Sequence, residues 1–249
     1  MRRLKTPCRI CGRWILSLKK KAARSFLFIK DGYGLTSNLI FLSIYLLINM
    51  DEIIPQKYID DYLAKDVALI NKLDRPKLET IINLIEATVR SKKTIYVAGN
   101  GGSAATGAHL VEDLQKLNLG KHPQSKKMSR VKVINLTDNI PLLTAWANDE
   151  GFQYVFSEPL KNMGDQGDLI ILITGSGNSA NILEAARVAR ELKIVSVGLL
   201  GFDGGQAREL VDEFIIVPDN SYAYVEDLHM IIIHLIANYL SDKLMSERL

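Results

Sequence analysis

The sequence predicts an α/β fold: an open five-stranded parallel sheet flanked by helices, preceded by a helical N-terminal arm. Three observations carry this. Short β-rich runs, apolar on both faces, occur at residues 94–98, 131–136, 169–174, 194–200 and 214–218, and such strands belong in a sheet covered on both sides. Helical patterns near 103–117, 139–163, 179–192, 204–211 and 222–245 alternate with them, the order of parallel β-α-β units. Glycine-rich loops stand at two of the strand-to-helix joints, at 99–105 and 174–179.

Taken in chain order, residues 1–49 come first and read apart from the rest. They hold ten Lys/Arg and one acidic residue, Asp31, a net +9. The remainder carries 31 − 10 = 21 basic and 28 − 1 = 27 acidic residues, a net −6. A mildly acidic body argues against a broad nucleic-acid footprint. The apolar run at 39–48 is shorter than the ~20 residues of a membrane-spanning helix, so no stable membrane insertion is expected. Because Met50 follows this run and a helical pattern begins at Asp51, Met50 is the expected native start, with 1–49 a mis-assigned upstream extension. An interfacial anchor is the alternative. Both cysteines, Cys8 and Cys11, lie in this leader, and no second pair completes a zinc site. A cysteine-free body is consistent with a reducing, cytoplasmic location.

The expected domain is therefore residues 50–249, opened by two helices within 55–92. Tyr58, Tyr62, Val67 and Ile70 recur at helical spacing, as do Leu78, Ile81, Ile82, Ile85 and Val89. Asp74 is placed as the cap between them, with Pro76 in the following first turn.

The two loops carry the first functional expectation. The first reads Gly99-Asn100-Gly101-Gly102-Ser103-Ala104-Ala105, and the second Thr174-Gly175-Ser176-Gly177-Asn178-Ser179. Both lie at strand carboxyl ends, where open α/β sheets bind ligands. Glycines let backbone N–H groups approach an anion, and a helix N-terminus adds a favourable dipole. Hydroxyls of Thr174, Ser176 and Ser179 can complete a phosphate's hydrogen bonds. Neither loop fits a dinucleotide fingerprint, and no Walker lysine follows, so no nucleotide cofactor is expected. One such loop would read as a plain turn and cap; two on one sheet read as an anion site.

Titratable residues supply the second. His109 and Asp113 stand at i, i+4 on the helix after the first loop, a geometry that suits two metal ligands or an acid/base pair. Glu226 and His234 lie eight residues apart on the last helix, about 12 Å along its axis, so they cannot chelate together without another segment between them. His229, five residues from His234, faces another way and reads as structural or as support for the site. His122 reads as solvated loop, and Glu112 as an exposed helix residue.

The two loops and their spacing resemble the sugar isomerase (SIS) fold, and most closely the bacterial phosphoheptose isomerases. Further matching stretches are Leu136-Thr137-Asp138, Ala147-Asn148-Asp149-Glu150-Gly151-Phe152, Gly201-Phe202-Asp203-Gly204-Gly205 and Glu226-Asp227-Leu228-His229. The resemblance runs from about Ile53 to Tyr239. It implies a homotetramer with active sites between subunits, a phosphate held by the second loop, and a zinc site. It implies His109, Asp113, Glu226 and His234 as metal ligands, with Asp113 and His234 exchanging protons with the sugar. Two positions depart from that pattern: the first-helix acid is usually Glu, and the last-helix position is usually Gln where this chain has Glu226. On this reading Asn100, Gly101, Gly102 and Ser103 line the sugar end, and Thr174, Gly175, Ser176, Asn178 and Ser179 hold the phosphate. Asp149 contacts sugar hydroxyls or lies in a surface loop. The expected activity is aldose–ketose isomerisation of sedoheptulose 7-phosphate. The rival is a non-catalytic SIS protein, a sugar-phosphate sensor or an adaptor like the DnaA initiator-associating protein.

Overall fold

Strands that are apolar on both faces must be covered on both, and that requirement shapes the molecule. The computed structural model describes residues 54–117 and 131–246. The leader with its Cys8–Cys11 pair, the proposed Met50 start and His122 lie outside the described residues. By contacts the chain divides at 58/59. Of the first unit only residues 54–58 are described, and residues 55–58 form the opening turn of helix α1.

In chain order the elements are α1 (Pro55–Ile70), α2 (Arg75–Arg90), β1 (Thr94–Gly99), α3 (Gly102–Lys116), β2 (Lys132–Asn135), α4 (Ile140–Asp149), α5 (Ser157–Met163), β3 (Leu169–Thr174), α6 (Ala180–Leu192), β4 (Val195–Gly201), β5 (Glu213–Val217) and α7 (Tyr222–Ser246). The strands form one parallel sheet in the order β2-β1-β3-β4-β5. Strand side chains alternate between two cores. Ile95, Val97, Ile171 and Ile173 join α2, α3 and α7 on one face; Tyr96, Ala98, Ile170 and Leu172 join α5 and α6 on the other. Each fully buried aliphatic side chain contributes about 1.5–3 kcal/mol of transfer energy, so both faces are needed.

Chain order reverses between β1 and β3, which puts the crevice of this topology at their carboxyl ends. Both glycine loops emerge there.

Two expected helices differ. The pattern at 139–163 breaks into α4, a 3-10 turn at Phe152–Tyr154 and α5, because Gly151 adopts φ 113°, which no helix can use. The pattern at 204–211 closes only a 3-10 turn, Gln206–Glu209, behind Gly204 and Gly205, both at positive φ. Helix α2 forms as expected: Asp74 accepts from the Lys77 amide at 3.1 Å and Pro sits in the first turn. Helix α1 buries Leu69 alone, while Tyr58 and Val67 stand exposed. No described helix is long and apolar enough to cross a membrane.

His229 holds α7 to the sheet. The ring is fully buried, and its Nε2–H donates to the Leu200 carbonyl at 3.1 Å, which fixes a neutral tautomer. Burial pushes its pKa down from 6.5 to about 4, against a smaller upward effect of that hydrogen bond. Below pH 6.5 the unfolded chain takes up a proton that the folded chain refuses, so stability falls as pH drops from 6.5 towards 4. Between pH 7 and pH 5 the loss from this group is about 2 kcal/mol. Urea melts at the two pH values should show it, and His229→Gln, which keeps a donor but cannot titrate there, should flatten the difference.

Candidate functional site

The carboxyl end of β3 turns through Thr174–Ser179 before α6 begins. Thr174 is buried, and its hydroxyl oxygen accepts from the Gly177 amide at 3.2 Å. The Ser176 hydroxyl oxygen accepts from the Asn178 amide at 3.3 Å. Each hydroxyl therefore spends a lone pair on the turn and keeps its proton to donate. Ser179 is the cap residue of α6 but makes no side-chain cap bond, so its hydroxyl also remains available. This is the chemistry of an anion cradle, built from neutral donors and a helix N-terminus.

The turn is held from behind by the second glycine pair. A Cβ on Gly177 would collide with the Gly204 backbone, and one on Gly205 with Ser176 and Gly177 backbone. Gly177 carbonyl accepts from the Ala207 amide at 2.9 Å. Asn178 belongs to this support: its Nδ2 donates to the Ser176 carbonyl and its Oδ1 accepts from the Gln206 amide.

A cavity of about 160 Å³ lies over the cradle. Thr174, Gly175, Ser176 and Ser179 line one side, and Asn100, Ser103, Tyr222 and Glu226 the other. That is well below the roughly 300 Å³ of a small-ligand pocket, enough for an anchoring group but not a whole sugar. Asp149 ends α4 exposed, where its carboxylate accepts from Asn148 at 2.8 Å; it is not among the lining residues.

Gly101 and Gly102 open α3 without a side-chain cap. The space beyond the Gly102 Cα is filled by the Glu226 carboxylate, which any Cβ there would strike. The positive end of α3 thus already faces a carboxylate of the chain's own.

Two helical turns further along the same helices is a second constellation. His234 Nε2 lies 3.1 Å from His109 Nε2, and the rings meet edge to face with centroids 4.8 Å apart. Asp113 Oδ2 stands 3.8 Å from His109 Nε2 and 4.0 Å from His234 Nε2. Two imidazoles and one carboxylate so placed could hold a metal ion. A point equidistant from the three atoms lies about 2.1 Å from each, the length of zinc bonds to nitrogen and oxygen. The donor set and its spacing fit a divalent cation. Glu226 is not in this group: eight residues separate it from His234 on α7, about 12 Å along the axis, and its carboxylate sits in the cradle wall instead. From Ser103 to His109 along α3 is about 9 Å. Anchor and cation group therefore stand one sugar-phosphate length apart on one pair of helices.

Two residues beyond the expected set belong to the site. Tyr222, one turn before Glu226, lays its ring against Gly175, where an added Cβ would lie 2.8 Å from two ring carbons, and Phe202 supports it edge-on at 4.9 Å. Its i, i+4 relation to Glu226 was the available signal. Asn181 pairs with Asn100, and nothing in the sequence marks that contact.

The SIS domain family model matches residues 58–201. The phosphoheptose isomerase of Geotalea daltonii is 36% identical over 173 residues, covering 70% of this chain and 87% of that protein. The phosphoheptose isomerase of Helicobacter hepaticus is 33% identical over 168 residues, covering 68% and 83%. Among solved structures, the phosphoheptose isomerase GmhA from Neisseria gonorrhoeae is similar with a TM-score of 0.68 at 26% identity, over 76% of this chain and 100% of that one.

Proposed function

The chain belongs to the SIS domain family and, within it, to the phosphoheptose isomerases, and we propose that it interconverts sedoheptulose 7-phosphate and a heptose 7-phosphate through an enediolate. The observation that carries this is the convergence of His109, Asp113 and His234 two turns from a hydroxyl-lined cradle. Thr174, Ser176 and Ser179 bind the phosphate, and Asn100, Ser103 and Glu226 face the sugar carbons next to it. Asp113 presents Oδ2 to the imidazoles, which leaves its other oxygen to take the proton from the carbon beside the carbonyl and return it to the former carbonyl carbon. His234, whose Nε2 faces the cation group, supplies and recovers the proton on the substrate oxygens through Nδ1. His109, Asp113 and His234 would hold a divalent cation, zinc in our reading, which when bound would supply a Lewis acid for the carbonyl.

Self-association completes the reading. Ile59, Leu63 and Val67 form one face of α1 and are 49%, 57% and 58% exposed, a stripe that a single copy leaves in water. Beside Ile70, a groove of about 560 Å³ runs between α2 and α7, lined by Leu78, Ile82, Ile231, Leu235 and Tyr239. A homotetramer would cover such surfaces and bring further residues to each site from neighbouring copies. The cysteine-free body supports a cytoplasmic location.

The test is turnover by the full chain of sedoheptulose 7-phosphate beside the unphosphorylated heptulose, before and after dialysis against a chelator. The phosphate ester should be isomerised, the free sugar should fail to saturate, and chelation should remove activity that added zinc restores. A chain that binds the ester without converting it under any of these conditions is a sensor or adaptor instead.

A further inference from the structure

We infer that Asn181 is a positioning residue that locks the two ligand loops in one register by pairing its amide with that of Asn100; the inference rests on the isomerase reading above. Asn100 lies in the loop after β1, and Asn181 is the second residue of α6, behind the phosphate loop after β3. Asn181 is 2% exposed. Asn100 Nδ2 donates to Asn181 Oδ1 at 2.9 Å, and Asn181 Nδ2 donates to Asn100 Oδ1 at 2.9 Å.

A reciprocal amide pair is self-orienting. Turning either amide by half a rotation sets oxygen against oxygen and N–H against N–H, so both bonds fail together. Asn100 lines the cradle beside Ser103 and Ser176. With one N–H committed to Asn181, it keeps a second, and the pair decides how that donor is presented at the cradle wall. The pair also joins loops that the backbone leaves separate: β1 and β3 are in register up to Gly99 and Ile173, and beyond them the chain diverges into α3 and α6. A purely structural pair would influence stability alone. A positioning pair governs how well the phosphate end is held.

The test uses the full chain and two substitutions, Asn181→Ala and Asn181→Asp, with sedoheptulose 7-phosphate for kinetics and inorganic phosphate for calorimetric binding. Asn181→Ala should raise KM and the phosphate Kd about tenfold, the worth of one or two hydrogen bonds, with kcat changed less than about threefold. Adding Asn100→Ala should cost less than the sum of the two single changes, because both break one device; what it costs beyond Asn181→Ala reports the donor that Asn100 itself presents. Asn181→Asp adds a readout that stability cannot mimic. Its protonated carboxyl can donate to Asn100 Oδ1 and accept from Nδ2, which restores the pair; its ionised form cannot. The ratio of variant to wild-type KM should therefore be near one in mild acid and rise about tenfold by pH 8. Glu226 and Tyr222 are the ionisable groups that share the cradle wall, and with the substrate's own phosphate they divide out in that ratio.

A folded Asn181→Ala protein with KM and phosphate Kd within twofold of wild type overturns the inference. So does a pH-independent ratio for Asn181→Asp, which decides the matter if the alanine variant does not fold. Should wild type bind phosphate yet convert no sugar, the isomerase reading fails on its own, and the phosphate affinities still report on the pair.

Discussion

His234→Ala is expected to lower turnover of sedoheptulose 7-phosphate by about 10²–10⁴-fold, the range for loss of a general acid. Alanine leaves no proton donor at this position: among the described residues the nearest imidazole is His109, 3.1 Å from the His234 ring. Because the cradle lies two turns away, KM should move far less than kcat, the signature of an interaction made mainly in the transition state. Bound zinc should fall in parallel, since a ligand is lost. His229→Gln is the internal control. It alters the same helix at a ring that donates to Leu200 and should leave kcat nearly unchanged at pH 7. A His234→Ala protein with wild-type turnover would remove His234 from the chemistry.

Asp113→Asn should be comparably severe, with kcat down by about 10²-fold or more. The amide keeps the shape of the carboxylate and abolishes both its charge and its basicity. Asp113 is within 4.0 Å of both imidazole nitrogens, so its charge would also hold a cation placed there, and metal content should drop with activity. Asp113→Glu separates the two roles. It keeps the charge but moves the carboxylate by one methylene, and a misplacement of about 1 Å can itself cost up to 10²-fold. Zinc should be retained in Asp113→Glu and kcat should lie at least about tenfold above that of Asp113→Asn. Equal losses of metal and rate in both would mean that Asp113 is a ligand only.

Much of this was legible in the residues themselves. The central strands could be read because β1, β3 and β4 are apolar on both faces, which leaves a covered parallel sheet as the solution; the edge strand β2 exposes Lys132 and Ile134 on one face. The phosphate loop was legible because glycine and hydroxyl residues follow β3 directly. His109 and Asp113 were legible as a pair because helix geometry alone sets i, i+4. What could not be read depends on tertiary contact or on a single dihedral. Gly151 looks like any glycine until its φ of 113° breaks the helix expected across 139–163. The meeting of His234 with His109 needs α7 laid beside α3, which the sequence carries only through resemblance. Glu226 was expected with the metal ligands, yet the rise of α7 holds it in the cradle wall. Asn178 was expected against the phosphate, and its amide instead braces the turn. Asn181 reads as an ordinary first-turn residue of α6, and only the fold brings Asn100 to it.

The central claim is that Asp113 and His234 move a proton between adjacent carbons of a sugar held by its phosphate. The most direct measurement is NMR of sedoheptulose 7-phosphate incubated with the full zinc-loaded chain in deuterium oxide. The expected product is a new aldose 7-phosphate carrying deuterium at C2, formed about 10²–10⁴-fold more slowly with His234→Ala. Unchanged ketose at saturating protein, with no deuterium gained while the phosphate end remains bound, would contradict it.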